Sequence, residues 1–319
     1  MRLTIIPAGI TAILTCCVLC ATARAENSAP HYLHEAVRAK TTPVIDGRLD
    51  DPAWQNAPVW SGFMETAEKK ADNQTSFMAL YDDRYFYLGI KCAEPRTAAM
   101  VAEKRNGRDA AVWNDNCVEI FMDPAFTRSH YYYQLVVNSK GDFCDGHVQD
   151  KSWNPEFDLE ISVTEGKEWC LEMRLPFSAF DRPLPEDKPL SPAVWGFAIA
   201  RCRQTSVFER SYFGAIYGKH HQPERFGRLV FREFLVKACR AEHEKTAGAL
   251  AANPDAAQNL KKELQENARR IDRLERIAAE ADLPACIREY DAITAQYKNI
   301  SEQYNESDWD ARFEELFKK

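Results

Sequence analysis

Apolar and polar positions follow two different rhythms along this chain. From residue 41 to 233 they alternate in short runs, and after 234 apolar residues recur at threes and fours. The alternating runs predict strands over 75–81, 85–92, 117–122, 131–138, 159–164, 169–175, 195–203 and 227–231. Turn residues separate them at Asp82-Asp83, Glu94-Pro95, Ser139-Lys140-Gly141-Asp142 and Glu165-Gly166-Lys167. Many short strands without intervening helices predict a mainly β fold, an antiparallel β-sandwich over 41–233. The segment 104–116 is long and polar for a connection between strands, the kind of loop on which binding sites are built.

Residues 234–319 predict an α-helical extension. A first helix covers 234–250, and Pro254 suits the first turn of a second. Leu260, Leu264, Ala268, Ile271, Leu274 and Ala278 then recur along one stripe. After Asp282-Leu283-Pro284 the pattern restarts with Cys286, Tyr290, Ile293, Tyr297, Ile300 and Tyr304. Two narrow, coiled-coil-like seams joined by a short turn predict an antiparallel helical hairpin. It serves either as a cap packed on the sandwich or on itself, or as a spacer or homodimerisation arm. Trp309, Phe313, Leu316 and Phe317 share one face of the tail.

The first 25 residues read as a signal peptide: Met1-Arg2, an apolar run over 3–20, then Ala23-Arg24-Ala25 with cleavage after Ala25. The apolar run is barely long enough for a membrane anchor and no second one follows. Cys16, Cys17 and Cys20 raise lipidation, but Thr15, Cys16 and Leu19 before them fit that signal poorly. The mature chain is expected to be secreted or periplasmic. A net charge of −7 over 319 residues argues against sequence-independent nucleic-acid binding. The mature chain keeps Cys92, Cys117, Cys144, Cys170, Cys202, Cys239 and Cys286, with no zinc-type spacing. Export allows one or two disulfides among them, while those inside strand-like runs read as small buried hydrophobes.

The candidate chemistry gathers around Trp113, which sits among Asn114, Asp115, Lys104, Arg105 and Arg108. An indole flanked by fixed donors and acceptors suits a sugar ring, with its apolar C–H faces and hydroxyl rim; the alternative is a core aromatic at a strand end. On the strand that follows, Val118 and Ile120 point one way and Cys117, Glu119 and Phe121 the other. Gln134 and Asn138 share a strand face with Tyr132 and Val136, as a polar groove or a solvated surface. Arg201 suits a sugar hydroxyl or a carboxylate such as Glu119. Asp115, Glu119 and Asp123 offer hard oxygen ligands for calcium, at no diagnostic spacing. His220-His221 reads as loop rather than as a metal site.

Seven segments then carry a resemblance in order: Ile45-Asp-Gly-Arg-Leu-Asp-Asp-Pro-Ala-Trp54, Leu80-Tyr-Asp-Asp-Arg-Tyr-Phe-Tyr-Leu88, Trp113-Asn-Asp-Asn-Cys-Val-Glu-Ile-Phe-Met-Asp-Pro124, Tyr133-Gln-Leu-Val-Val-Asn138, Trp169-Cys-Leu-Glu-Met-Arg-Leu-Pro176, Trp195-Gly-Phe-Ala-Ile-Ala-Arg201 and Phe226-Gly-Arg-Leu-Val-Phe231. Together they resemble family 9 carbohydrate-binding modules, over about 41–233. The resemblance implies a DOMON-like β-sandwich, sugar held between rim aromatics with polar partners, and calcium supporting the loops. It places Trp113 as the stacking residue. Where the family usually carries Trp-Ser, this chain has Glu209-Arg-Ser-Tyr-Phe-Gly214, so Tyr212 or Phe213 stands in as the second platform. Ala198 replaces a common asparagine.

The expected function is an exported, non-catalytic carbohydrate-binding protein that supports polysaccharide catabolism. The sequence contains no Gly-x-Ser-x-Gly, Gly-x-Gly-x-x-Gly or His-Glu-x-x-His motif and no P-loop, and no pair among its 48 acidic residues is singled out. Two alternatives stay open: a glycoside hydrolase-associated protein acting on O-glycosyl compounds, and a scaffold that has lost sugar binding.

Overall fold

The computed structural model describes residues 32–104, 108–148, 150–182, 193–252 and 258–317, with side chains as far as residue 305. The leader segment, Arg105 and the apolar tail face lie outside the described residues or side chains. Twelve strands form: β1 (Leu33–Arg38), β2 (Trp60–Ser61), β3 (Thr75–Tyr81), β4 (Tyr85–Ala93), β5 (Cys117–Asp123), β6 (Tyr133–Asn138), β7 (Phe143–His147), β8 (Asp158–Thr164), β9 (Glu168–Pro176), β10 (Val194–Gln204), β11 (Phe208–Phe213) and β12 (Gly227–Phe231). They follow the order β7-β6-β5-β10-β12-β1-β3-β4-β9-β8, with β11 beside β10 and β2 beside β3.

The path folds into two layers hinged at β1. That strand pairs with β12 over Leu33–Ala36 and with β3 over Val37–Arg38, in parallel both times. All other strand pairs are antiparallel. Between the layers lies the main core. Val118, Ile120 and Met122 of β5 and Trp195, Phe197 and Ile199 of β10 face Phe77, Leu88, Ile90, Trp169 and Leu171 from the other layer.

Continuing the same alternation, β10 turns Arg201 and Arg203 inward, where two cations must be matched. Glu94, just past β4, supplies the charge: Arg203 donates to both of its carboxylate oxygens at 2.8 Å. Arg201 donates to the carbonyls of Asn73 and Ala93 and to Thr75 Oγ1, and lies 3.5 Å from Glu94. Desolvation raises the Glu94 pKa, but the Arg203 hydrogen bonds, the Arg96 N–H and the two guanidinium charges outweigh it and hold the carboxyl below its usual value. Arg201 is therefore an inter-layer tie, paired with Glu94 and not with Glu119.

Three helices follow: α1 (Arg232–Ala252), α2 (Gln258–Ala279) and α3 (Leu283–Phe317). α1 begins at the residue after β12, so the last strand feeds directly into it. The α2–α3 hairpin buries Leu260, Ile271, Leu274, Cys286, Ile293, Tyr297 and Ile300, and α1 closes the bundle with Leu235, Cys239 and Leu250. The same cluster reaches Leu33, Val194 and Val230 on the sheet. Arg228 fastens the junction with two hydrogen bonds to Asp291 (2.9 and 2.7 Å), and Arg232 with bonds to Glu35 and the Ala278 carbonyl. The helices therefore cap the sandwich. Among the described residues, no helix is long and apolar enough to cross a membrane. The seven cysteines among the described residues are unbridged thiols, and all are buried.

Two outcomes follow from this packing. Leu274 is fully buried in the helical cluster, separate from the core between the sheets. Leu274→Asp should destabilise the bundle by more than about 3 kcal/mol. Far-UV circular dichroism should then show helix loss with the β signal kept; loss of both signals would mean one shared core. His34 lies on the core face of β1 against Trp60, Phe77 and Phe213, and neither ring nitrogen has a hydrogen-bond partner among the described residues. Burial pulls its pKa down to about 3. Below about pH 6.5 the unfolded chain takes a proton that the folded one refuses, so stability should fall by on the order of 2 kcal/mol between about pH 7 and 4.5. Denaturant melts of His34→Leu should lack that component; an unchanged pH slope would show that His34 titrates freely in the fold.

Candidate ligand site

Strand alternation leaves the outer face of β5, β6, β10 and β11 to be covered by loops. On one part of it Phe121, Tyr132, Ala198, Ala200 and Tyr212 are sealed by Ile216 and Phe226 from the segment between β11 and β12. Gly214 starts that segment at φ +107°, and a Cβ there would stand 3.2 Å from Ala198. Glycine is needed both for the left-handed turn and for the close approach. Ala198 therefore lies under the backbone and offers no side chain to a ligand.

Beside this sealed patch the face stays open as a cavity of about 610 Å³. Glu119 and Gln134 form its floor with Val136 and Cys144; Trp113, Lys151, Arg210 and the His220-His221 pair line it above. Trp113 belongs to a 3-10 turn, Val112–Asn114, seated by Val112 among Cys117, Val136, Cys144 and Cys202. One turn residue is thus anchored while its neighbour stands free: Val112 is fully buried and Trp113 is 42% exposed.

The floor is a hydrogen-bonded row. Glu119 accepts from Gln134 Nε2 at 3.0 Å and faces His220 Nδ1 at 2.9 Å. His220 Nε2 is buried and has no hydrogen-bond partner among the described residues. Tyr132 Oη meets His221 Nδ1 at 2.6 Å. Burial lowers the His221 pKa against the opposing pull of Glu119, so this ring is neutral near pH 7. Lys151 stands 5.5 Å from the centroid of the Trp113 ring and Arg210 4.9 Å from that of Phe208, both cation–π distances.

Of the residues singled out by sequence, Trp113, Gln134 and Glu119 meet at this cavity. Tyr212 lies one layer down, buried and edge-on to His220 at 5.3 Å, so it supports the floor and offers no platform. Phe213 points to the opposite side of the same strand, into the main core against Phe63 and Phe77. Asn138 is fully buried and pins a turn: its oxygen accepts from the Lys140 and Asp142 N–H groups, and its amide donates to Asp115. Lys104 pairs with Asp142 at 3.2 Å. Arg201 is held between the layers by Glu94 and takes no part in the cavity.

The proposed calcium trio does not converge. Asp115 takes the Asn138 amide, and Glu119 takes Gln134 and His220. Asp123 accepts from Thr127 Oγ1 and the Arg128 N–H at 3.0 Å each, closing the turn after β5. Burial raises the Asp123 pKa to about 6. Among the described residues, no group of three or more His, Cys, Asp or Glu side chains is placed to hold a metal.

Three parts of the cavity are not evident from sequence: Lys151, Arg210 and the His220-His221 pair, which reads there as plain loop. Arg210 is accessible through alternation, two positions before Tyr212 on the outer face of β11. Lys151 gives no such signal, because it stands after β7 on an irregular segment.

The family model for carbohydrate family 9 binding domain-like sequences matches residues 45–233. This chain belongs to that family. The matched span begins at the first of the seven segments and ends one residue beyond Arg232, so it takes in β2 to β12 and leaves out β1. No curated protein matches the chain. Two solved structures of a family 9 carbohydrate-binding module from Caldicellulosiruptor kristjanssonii, one with cellotriose and one with glucose, are similar to it. Each has 17% identity and a TM-score of 0.45 over 62% of this chain, covering 93% and 95% of the module.

Trp113 carries the expected outcome here. Trp113→Ala removes an exposed ring without opening a core, so the melting temperature should stay within a few degrees. Retention in glycan affinity electrophoresis should be lost, since a stacked aromatic contributes roughly 1 kcal/mol or more. Retained binding in a folded variant would place the site elsewhere.

Proposed function

We propose that this chain is an exported, non-catalytic carbohydrate-binding protein that holds a glycan in the cavity above β5 and β6 and so supports polysaccharide catabolism. The observation that carries this reading is the exposed indole of Trp113 at the mouth of a cavity floored by Glu119, Gln134 and His220. A pyranose presents an apolar C–H face to the ring. Its hydroxyls meet the Gln134 amide and the Glu119 carboxylate, which together provide donors and acceptors.

Binding is favoured over hydrolysis by the state of the two carboxylates near the cavity. A glycosidase works with two carboxyl groups that flank the scissile bond, one as acid and one as base or nucleophile. Glu119 is held by Gln134 and His220, while Arg108 grips Asp145 at 2.6 Å. Export rests on the leader and its Ala25 cleavage site. Calcium stays a loop-supporting role implied by the family, outside the Asp115, Glu119 and Asp123 trio. Beside the cap, a homodimer through the outer faces of the helices is the proposed assembly.

A glycan array run with titrated calcium tests the function. Selective retention without product supports the proposal. Release of reducing sugar overturns its non-catalytic part, and silence across all glycan classes overturns it entirely.

A further inference from the structure

The cavity holds two kinds of charge, and they differ in how they are engaged. Its carboxylates each have a charged or polar partner: Glu119 has Gln134 and His220, and Asp145 has Arg108 on one of its two oxygens, Oδ2. Its cations, Lys151 and Arg210, are both exposed at the cavity, and neither forms an ion pair with a carboxylate among the described residues. Lys151 reaches the Asp109 carbonyl at 3.5 Å, the Trp113 ring and the Cys144 thiol, with Asp145 near enough to feel its charge, and Arg210 rests on Phe208.

A neutral sugar can accept hydrogen bonds from these cations but does not neutralise their charge, whereas an anionic group does both. Building on the glycan reading, we propose that the ligand is an anionic glycan whose carboxylate or sulfate ester is taken by Arg210 and Lys151 while a sugar ring stacks on Trp113. Arg210 presents a planar fork suited to two oxygens of one anionic group, and Lys151 adds a point charge from over one face of the indole, leaving the other face for the sugar. Such pairs lie at a solvent-exposed mouth, so salt weakens them. The chain carries a net −7 overall, which makes a cationic mouth on this face a local feature and not a consequence of composition.

Isothermal titration of the full mature chain with a polyuronate, a sulfated glucan and an unsubstituted glucan tests the proposal, alongside Arg210→Gln and Lys151→Gln. The anionic polymer should bind at least tenfold more tightly than the neutral one. Each substitution should reduce that preference several-fold with an unchanged melting temperature, and added salt should do the same. Preference for the polyuronate identifies carboxylate as the group, and preference for the sulfated glucan identifies sulfate. Equal or tighter binding of neutral glucan overturns the anionic assignment and leaves the glycan reading standing. Binding of anionic polymer that ignores both substitutions also overturns it, placing the charge recognition on another surface. Failure of all three polymers removes the glycan reading and this inference together.

Discussion

The structure depends on the antiparallel register between β5 and β10, which runs from Gly196 opposite Asp123 to Cys202 opposite Cys117. A slip of one residue would turn the inner face of one strand toward the outer face of the other. In the observed register Val118, Ile120, Phe197 and Ile199 enter the main core, and Glu119 and Cys202 go to the outer face. Arg201 and Arg203 also fall on the inner side, where they demand a buried partner. Glu94 answers from the other layer, so the register and the joining of the layers are one constraint. Breaking one partner of such a buried pair leaves an uncompensated charge and costs about 3–5 kcal/mol.

The site exists because the outer face is only partly covered. The segment after Gly214 seals the Phe121–Tyr212 patch and stops, delivering His220 and His221 at its edge. From the other side, the Val112 anchor and the Asn138–Asp115 bond hold the turn that carries Trp113. The polar residues around the cavity thus divide into those that shape loops and those that face the open space. Asn138, Asp115 and Asp123 belong to the first group, and Gln134, Glu119 and His220 to the second.

Alternation along the chain makes the main strands and the face of each residue legible, including the opposed directions of Ile120 and Glu119. The helical seams are equally plain, since Leu260, Ile271, Leu274 and Ile293 recur at helical spacing. What stays hidden is set by contacts distant in sequence. β1 pairs in parallel with two strands far along the chain, and His34 and Glu35 interrupt its apolar pattern. Tyr212 and Phe213 look interchangeable as platforms, but adjacent strand residues face opposite ways, and both are buried. Arg201 suits a sugar or Glu119 on sequence grounds because the chain gives no sign that Glu94, across the sandwich, meets it. Lys151 and His220 reach the cavity from loops, whose paths are decided by what they cover.

The central claim is that Trp113, Gln134 and the His220 side of the same cavity contact one glycan. Two-dimensional ¹H–¹⁵N NMR of the labelled protein, titrated with an oligosaccharide that it retains, reads this directly through indole and side-chain amide resonances. The Trp113 indole and the Gln134 amide should shift together and saturate at one concentration, while the buried Trp169 and Trp195 indoles stay in place. Saturable binding that leaves the Trp113 and Gln134 resonances unmoved would contradict it and put the glycan on another face of the sandwich.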